Sequence, residues 1–316
     1  MCQRYLLLTL IVLILSAVSV NSQSSDSATN HYNSGTKKIA SGDWDGAIED
    51  YSRAIVLSSR LKRSKQSVSV PANSFTGEIE EASNITVIDP LTADAYNNRG
   101  VARYRKGDIE GAIADFNAAL RIRPALANAY LNRAAAKRMF NDLQGALTDL
   151  DRAIAINNDL FEAYNNRGSI RNELRDPKGA MADMNKAVEL NPKSSDSLYQ
   201  RGYLFIDSKQ YDRALADFEK TVKLNPDMAL AYQGRGTAWM FKGYMENAIA
   251  DFNEALKRNP QIAWAYFNRS LARTYLGDTA GALSDFNETI RLRPDLGDDL
   301  TRRTELARHL RRIGGH

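Results

Sequence analysis

Residues that carry most enzyme chemistry are scarce in this sequence. Its 316 residues include one cysteine, Cys2, and three histidines, His31, His309 and His316. The histidines form no His-x-x-x-His metal pattern and no acid–histidine pairing that could activate a nucleophile. The glycines fall at regular intervals instead of forming a phosphate-binding loop. We therefore expect no disulfide framework, catalysis, cofactor or metal site.

An excess of charge of one sign is also lacking. The net charge is +4, and 25% of the residues are charged. Basic residues gather only near the C-terminus, between Arg302 and Arg312. A nucleic-acid surface needs a basic stripe with interleaved aromatic residues, and none is present. The sequence thus predicts no nucleic-acid partner, and no small-molecule substrate is evident.

Only one long hydrophobic run occurs, the 16 uncharged residues Tyr5–Val20. Arg4 precedes it and small residues follow it, which is the layout of a secretory signal peptide. We interpret residues 1–22 as that signal and 23–27 as a flexible lead-in. The run is short for a membrane-spanning helix of about 20 residues, so anchoring through residues 5–20 is the alternative. The predicted location is exported, either periplasmic or secreted.

The rest of the chain is dominated by a repeat. The string AYNNRG occurs at Ala95–Gly100 and again at Ala163–Gly168, with variants at 129, 197, 231 and 265. From Ala95 onward each copy begins 34 residues after the previous one. A fixed period of this length is typical of stacked helical repeats. The predicted repeats are a weaker first copy at 28–61 and six contiguous copies at 93–126, 127–160, 161–194, 195–228, 229–262 and 263–296.

Within each repeat, apolar residues recur at three- and four-residue steps in two blocks, which predicts two amphipathic helices. A turn such as Gly107-Asp108 separates the blocks, and a proline such as Pro124 follows most second blocks. Small residues at the eighth and twentieth places, for example Gly168 and Ala180, predict where the two helices cross closely.

Residues 62–92 interrupt the period. Helical periodicity is absent there, and Pro71, Gly77 and Pro90 punctuate the segment. Long connections of this kind are usually functional or disordered. We interpret 62–92 as an irregular loop insertion.

Charged columns follow the same period. Aspartate occupies the twenty-third place of all seven repeats, and arginine the seventh place of the last six. A catalytic carboxylate pair would be unique, so a repeated column favours a structural role. We predict that the arginines and aspartates form an ion-pair ladder between neighbouring helices.

The pattern resembles the tetratricopeptide repeat. The matching features are an aromatic residue at the fourth place, small residues at the eighth and twentieth, an aromatic residue at the twenty-fourth, alanine at the twenty-seventh and proline at the thirty-second. The resemblance implies an all-α, right-handed superhelical solenoid of antiparallel helix hairpins. Its first helices would line a concave groove that binds a protein or peptide segment, and residues 297–316 would provide a capping helix and tail.

The sixth place of the repeat, which faces the groove in this family, supplies candidate binding residues. An amide offers both a donor and an acceptor, so it complements peptide backbone without reading side chains. The alternative is that these amides bond only water or neighbouring helices. The candidates are Asn98, Asn132, Asn166, Gln200 and Asn268, with Tyr199, Tyr203, Phe241 and Phe267 as inward-facing aromatic residues.

The sequence therefore predicts a non-catalytic scaffold that holds a protein segment in its groove. An alternative is a structural assembly factor of an envelope or secretion complex that acts through its convex face or its loop. An enzyme is the least favoured interpretation. The lysine–asparagine clamp that some family members use for carboxylates is not matched, since Tyr32, Thr36, Asn97 and Val101 stand in its places.

Overall fold

The computed structural model describes residues 26–66 and 90–313. Within these ranges there are fifteen α-helices and one 3₁₀ helix, and no β-strand. The predicted all-α class is confirmed. The predicted signal peptide, residues 1–22, lies outside the described residues, and α1 already begins at residue 26 of the predicted lead-in.

The chain divides into two compact units, with the boundary between Asn158 and Asp159. The described part of the first unit consists of three helix hairpins, each formed by two consecutive helices joined through a short turn. Its helices are α1 (26–40), α2 (Trp44–Gln66), α3 (Pro90–Arg105), α4 (Ile109–Ile122), α5 (Ala127–Met139) and α6 (Leu143–Ile156).

The described part of the second unit has four such hairpins and a terminal helix. Consecutive hairpins stack, so that each second helix packs against the first helix of the next hairpin. The helices are α7 (Phe161–Glu173), α8 (Pro177–Leu190), α9 (Ser195–Asp207), α10 (Tyr211–Leu224), α11 (Ala229–Phe241), α12 (Met245–Arg258), α13 (Ala263–Leu276), α14 (Thr279–Leu292), η1 (Pro294–Leu296) and α15 (Gly297–Ile313).

Helices extend into both ends of the segment that the sequence indicated as a loop. Helix α2 continues to Gln66 and α3 begins at Pro90, so residues 67–89 are the part of this segment that lies outside the described residues. No proline or glycine interrupts residues 62–66, and proline is well tolerated in the first turn of a helix. The predicted loop boundaries, 62 and 92, were therefore too wide.

The turn inside each hairpin has a recurring geometry. The Oδ1 atom of Asp142 accepts a hydrogen bond from the amide of Gly145 at 2.9 Å and so caps α6. Just before the cap, one residue adopts a left-handed conformation, as Gly107 does with φ of 86°. Arg175 and Lys209 do the same without glycine, with φ of 61° and 59°. Closing the end of the first helix requires this conformation even where the sequence lacks the residue that favours it.

The small residues lie where the two helices of a hairpin cross. A Cβ atom added at Gly100 would lie 2.6 Å from the ring of Phe116, and one added at Gly202 would lie 2.8 Å from the ring of Phe218. Ala180 is fully buried at the corresponding crossing in α8. The aromatic ring and the small residue are thus the two sides of one contact, as the sequence indicated.

The terminal helix α15 packs mainly against α13 and less against α14. Leu296 and Leu300 form a buried cluster with Phe267, and Leu271 and Phe286 pack against that cluster. Most exposed residues of α15 are polar, as expected for a capping helix, but Leu306 is exposed too and the helix covers only part of the last hairpin.

Candidate functional site

A buried ion pair joins the two helices of each hairpin from the second repeat onward. Arg201 donates from Nε to Asp217 Oδ2 at 2.7 Å and from Nη2 to Oδ1 at 2.8 Å. The predicted ladder is confirmed, because the same two bonds recur in the other five repeats. They join Arg99 to Asp115, Arg133 to Asp149, Arg167 to Asp183, Arg235 to Asp251 and Arg269 to Asp285.

The first repeat satisfies its aspartate differently. Ser34 replaces the arginine and donates to Asp50 Oδ2 at 2.6 Å, while Lys38 and His31 approach the carboxylate at 2.8 and 3.0 Å. Burial alone would raise the pKa of Asp50, but hydrogen bonds from Lys38, Ser34 and His31 outweigh burial and hold that pKa at about 2. Asp50 is therefore ionised at neutral pH.

Most of these arginines also reach the preceding hairpin. Arg269 Nη1 donates to Asn253 Oδ1, a residue of α12, at 2.6 Å. Each such arginine ties together three helices, and we call this three-helix arrangement an arginine staple. The sequence did not indicate the third partner, although the twenty-fifth place of every repeat holds a polar residue that can accept a hydrogen bond. Equivalent bonds join Arg99 to Ser52, Arg133 to Asn117 and Arg201 to Asn185.

Two candidate amides of the first unit bond to neighbouring helices. Asn98 donates to the Tyr32 hydroxyl at 3.1 Å and accepts from Asn97 at 3.1 Å. Asn132 donates to Asn97 Oδ1 at 3.0 Å. These contacts match the alternative interpretation of the sixth-place amides, in which they bond to neighbouring helices and hold the first helices together.

The candidate amides of the second unit differ among themselves. Asn268 is 9% exposed and donates to Thr237 Oγ1 at 3.1 Å, so it belongs to the packing between α13 and α11. Asn166 and Gln200 are half-buried on α7 and α9. Only these two of the five predicted amides retain side chains that are both partly accessible and not engaged by the hydrogen bonds described above.

Tyr199 and Tyr203 form an aromatic cluster with Phe218. The two tyrosine rings meet edge to face with centroids 5.1 Å apart, and Tyr203 lies 5.3 Å from Phe218. The Tyr203 hydroxyl donates to Gln233 Oε1, and burial raises the pKa of Tyr203 well above its usual value. Both tyrosines are half-buried, and the hydroxyl of Tyr203 is engaged by Gln233.

The other two predicted aromatic residues have opposite environments. Phe267 is 1% exposed because Leu296 and Leu300 cover it, so its predicted role as an accessible binding residue is wrong. Phe241 is 50% exposed and stacks on Tyr211 with ring centroids 5.5 Å apart. The sequence could not distinguish them, since the covering helix is not part of the repeat.

Five exposed large apolar side chains lie on the first helices α11 and α13, and all of them except Leu276 share one side of their helix. Leu230 and Trp264 stand at the second place of their repeats, and Phe241 and Tyr275 stand at the thirteenth. These places lie on one side of a helix, eleven residues apart. We call the surface formed by these four residues the first-helix face.

Neither metal-binding nor membrane-spanning features occur in the part of the chain that the structure describes. No group of three or more histidine, cysteine, aspartate or glutamate side chains is placed to hold a metal ion there. Among the same residues, no helix combines the length and apolar character needed to cross a bilayer.

Stacked hairpins held by arginine staples define a helical-repeat scaffold. Family models described as tetratricopeptide repeat match residues 93–126, 161–194, 199–261 and 245–296. The chain belongs to the tetratricopeptide repeat family. A search of curated proteins found no significant match.

Solved structures with similar folds include three repeat proteins. A tetratricopeptide repeat protein from Parabacteroides merdae is 20% identical, with a TM-score of 0.57, and the match covers 89% of this chain and 99% of that one. PilF of Pseudomonas aeruginosa is 21% identical, with a TM-score of 0.58, over 64% of this chain and 92% of that one. PilW, described as a widely conserved type IV pilus biogenesis factor, is 20% identical, with a TM-score of 0.58, over 64% and 94%. At these identities the similarity shows the fold.

Proposed function

We propose that this protein is a non-catalytic scaffold that binds a protein segment on the first-helix face of its second unit. Tetratricopeptide repeat proteins bind protein or peptide partners. The observation that carries the proposal is the exposure of Leu230, Phe241, Trp264 and Tyr275, each at least 41% exposed. Large apolar side chains kept in solvent on one side of adjacent helices are typical of interaction surfaces.

The spacing of these residues suggests how a partner is held. Leu230 and Phe241 lie eleven residues apart on α11, which corresponds to about 16 Å along a helix axis. Trp264 and Tyr275 repeat this spacing on α13. A partner segment with two large apolar residues about 16 Å apart would place one at each end of the face.

Polar groups would hold the backbone of the same segment. Asn166 and Gln200 each offer an amide donor and acceptor, and both side chains are half-buried. We expect Asn166→Ala and Gln200→Ala to weaken peptide binding about three- to tenfold. Asn268→Ala should instead lower the unfolding free energy, because that amide bonds to Thr237 inside the stack.

A peptide library displayed on phage and selected on the full chain tests the proposal. Binding of selected peptides, measured by calorimetry, should weaken at least tenfold in Phe241→Ala and in Trp264→Ala. Leu224→Ala is the matched control, since Leu224 is comparably exposed but lies at the end of a second helix, α10. Equal weakening in all three variants, or none in the first two, would place the binding surface elsewhere.

We also propose export through residues 1–22, on the basis of the apolar run Tyr5–Val20 and the basic residue before it. N-terminal sequencing of the protein recovered from the exported fraction should begin at Gln23. A product that starts at Met1 and stays with the membrane fraction would support the alternative, anchoring through residues 5–20.

A further inference from the structure

Stacking between hairpins within each unit follows one chemical rule. The incoming first helix places its third, sixth and tenth residues on the preceding second helix. On α13 these are Ala265, Asn268 and Ala272, all of which are buried. Ala265 packs in one cluster with Phe252 of α12, and Asn268 bonds to Thr237 of α11. The sixth residue sits closest to the aromatic ring of the preceding repeat, since a Cβ atom added at Gly234 would lie 2.5 Å from Phe218. The contact thus demands a small or amide residue at this place.

Helix α15 has the place of an eighth first helix in the sequence, but it packs mainly on α13 instead of α14 and departs from this rule. Its third, sixth and tenth residues are Asp299, Arg302 and Leu306. Arg302 and Leu306 point to solvent, with 78% of the Arg302 side chain and 56% of Leu306 exposed. A long charged side chain at the sixth place does not fit against a ring, so α15 instead inserts Leu300 beside Phe267 of α13.

Because α15 packs beside Phe267 of α13, the outer surface of α14 stays uncovered. Leu283 is 60% exposed, whereas its counterparts Leu215 and Ile249 are partly buried. Phe286 is only half-buried, although its counterparts Phe218 and Phe252 are 0% exposed. The last hairpin therefore presents the same apolar side chains that every earlier hairpin of the unit covers.

A cavity of about 260 Å³ marks the unfilled part of this surface. Ala282, Leu283 and Phe286 line one side, and residues of α15 line the other. Thr304 lies in this lining, and its buried Oγ1 atom has no hydrogen-bond partner among the described residues. The combination of apolar walls and one unsatisfied hydroxyl is typical of an incomplete contact.

The arginine staple is incomplete at the same place. Asn287 stands at the twenty-fifth place, where Asn253 accepts from Arg269 in the preceding interface. Asn287 is exposed. The arginine that should reach it, Arg303, donates to Asp299 at 2.8 Å and lies over the ring of Phe267.

We infer that the outer surface of α14, formed by Leu283, Phe286 and Asn287, is a docking site for a helix from a partner protein. The interfaces inside the unit define the chemistry of that helix. Counted from a first contact residue that is alanine or serine, it carries an amide residue or glycine three residues later and arginine four residues later. Seven residues after the first contact residue it carries alanine or leucine. Its arginine donates to Asn287 and completes the staple.

A second copy of this chain fits the site less well. The exposed face of α1 has Asn30, Asn33 and Lys37 at the three contact places. The seventh place of the first repeat holds Ser34, which is already bonded to Asp50. No arginine is offered, and a lysine takes the place of the small apolar residue. The partner helix therefore belongs to a different protein.

A synthetic helix tests the site directly. The probe is a fluorescein-labelled peptide of residues 127–139. It presents Ala129, Asn132, Arg133 and Ala136 on one face, and a covalent cross-link on the opposite face keeps it helical. Its binding to the full chain is followed by fluorescence anisotropy. Leu283→Glu and Asn287→Lys should each weaken binding at least tenfold, and an Arg133→Ala probe should bind about tenfold more weakly. Both substituted positions are exposed, so the variants should keep the circular dichroism of the wild type.

Leu224→Glu is the matched control, because Leu224 is also an exposed leucine on a second helix of the second unit but lies at the end of α10, outside both proposed surfaces. Its affinity for the probe should stay within about twofold of wild type. No measurable binding, or binding that Leu283→Glu and Asn287→Lys leave unchanged, would overturn the inference. Loss of binding in Leu230→Glu alone would do the same, by placing the probe on the first-helix face. Self-association of the chain that Leu283→Glu abolishes would overturn the assignment to a different protein.

Discussion

The Arg201–Asp217 pair offers a quantitative test of the staples. The Asp217 side chain is 4% exposed and that of Arg201 is 17% exposed. Removing one member of a buried pair usually costs about 3–5 kcal/mol, because the other charge stays buried without its partner. Arg201 retains Asn185 and lies over the ring of Phe205, so we expect Asp217→Ala to cost about 3 kcal/mol, at the lower end of that range.

A double-mutant cycle separates the interaction from the effects of each side chain. Asp217→Ala and Arg201→Met each leave one buried charge without its partner, whereas the double variant leaves no unpaired charge. If the singles cost about 3 kcal/mol each, the double variant should cost clearly less than their sum, with a coupling energy of about 2 kcal/mol. Asp217 suits this cycle because Phe205 replaces the second basic residue that most other repeats direct at this carboxylate.

Urea unfolding, followed by circular dichroism at several wavelengths, gives the free energies of unfolding. Unchanged m-values would show that each variant exposes the same amount of surface on unfolding as the wild type. Lys223→Ala is the control, since the Lys223–Glu219 pair is exposed on both sides and should contribute less than about 1 kcal/mol. A cost below about 1 kcal/mol for Asp217→Ala, or strict additivity in the cycle, would refute the view that these pairs hold the hairpins together.

Three further predictions concern stability. The low pKa of Asp50 stabilises the folded state above about pH 4, and this stabilisation is lost as the pH falls through 2. The difference in unfolding free energy between wild type and Asp50→Asn, measured by urea unfolding, should therefore shrink by about 2 kcal/mol between pH 5 and pH 2. Ala180→Leu should overpack the helix crossing and cost about 1–3 kcal/mol in unfolding free energy, whereas Ala280→Leu on the exposed surface of α14 should leave the thermal midpoint nearly unchanged. Asp142→Ala should lose about 1 kcal/mol by removing a helix cap, and Gln210→Asp should gain a similar amount because α10 has no side-chain cap; both are read from thermal midpoints.

The hairpins could be predicted because their contacts are encoded at fixed spacing. Gly202 and Phe218 meet across one short turn, and so do Arg201 and Asp217, so a column of small residues or opposite charges reveals the pairing. The third member of the staple, such as Asn185, belongs to the preceding repeat. Its column of varied polar residues is a weaker signal than a column of arginines.

The candidate binding amides show what the period cannot reveal. Asn98 bonds to Tyr32, 66 residues away across an interruption of the period, and Asn268 bonds to a threonine at a place where the other repeats differ. Whether an amide faces a partner or a neighbouring helix depends on these irregular contacts. Phe267 was misplaced for the same reason, since a helix outside the repeat covers it.

The direction of the staples has a consequence for how the chain is made. Asp50 is satisfied by His31, Ser34 and Lys38 of its own hairpin, so the first repeat needs no residue from a later one to complete its ion pair. Within each unit, a later arginine such as Arg269 reaches back to a residue already synthesised, Asn253. Each hairpin can therefore fold onto the preceding one as it leaves the ribosome. The partners of its buried charges have by then been synthesised, so none of them is still inside the exit tunnel.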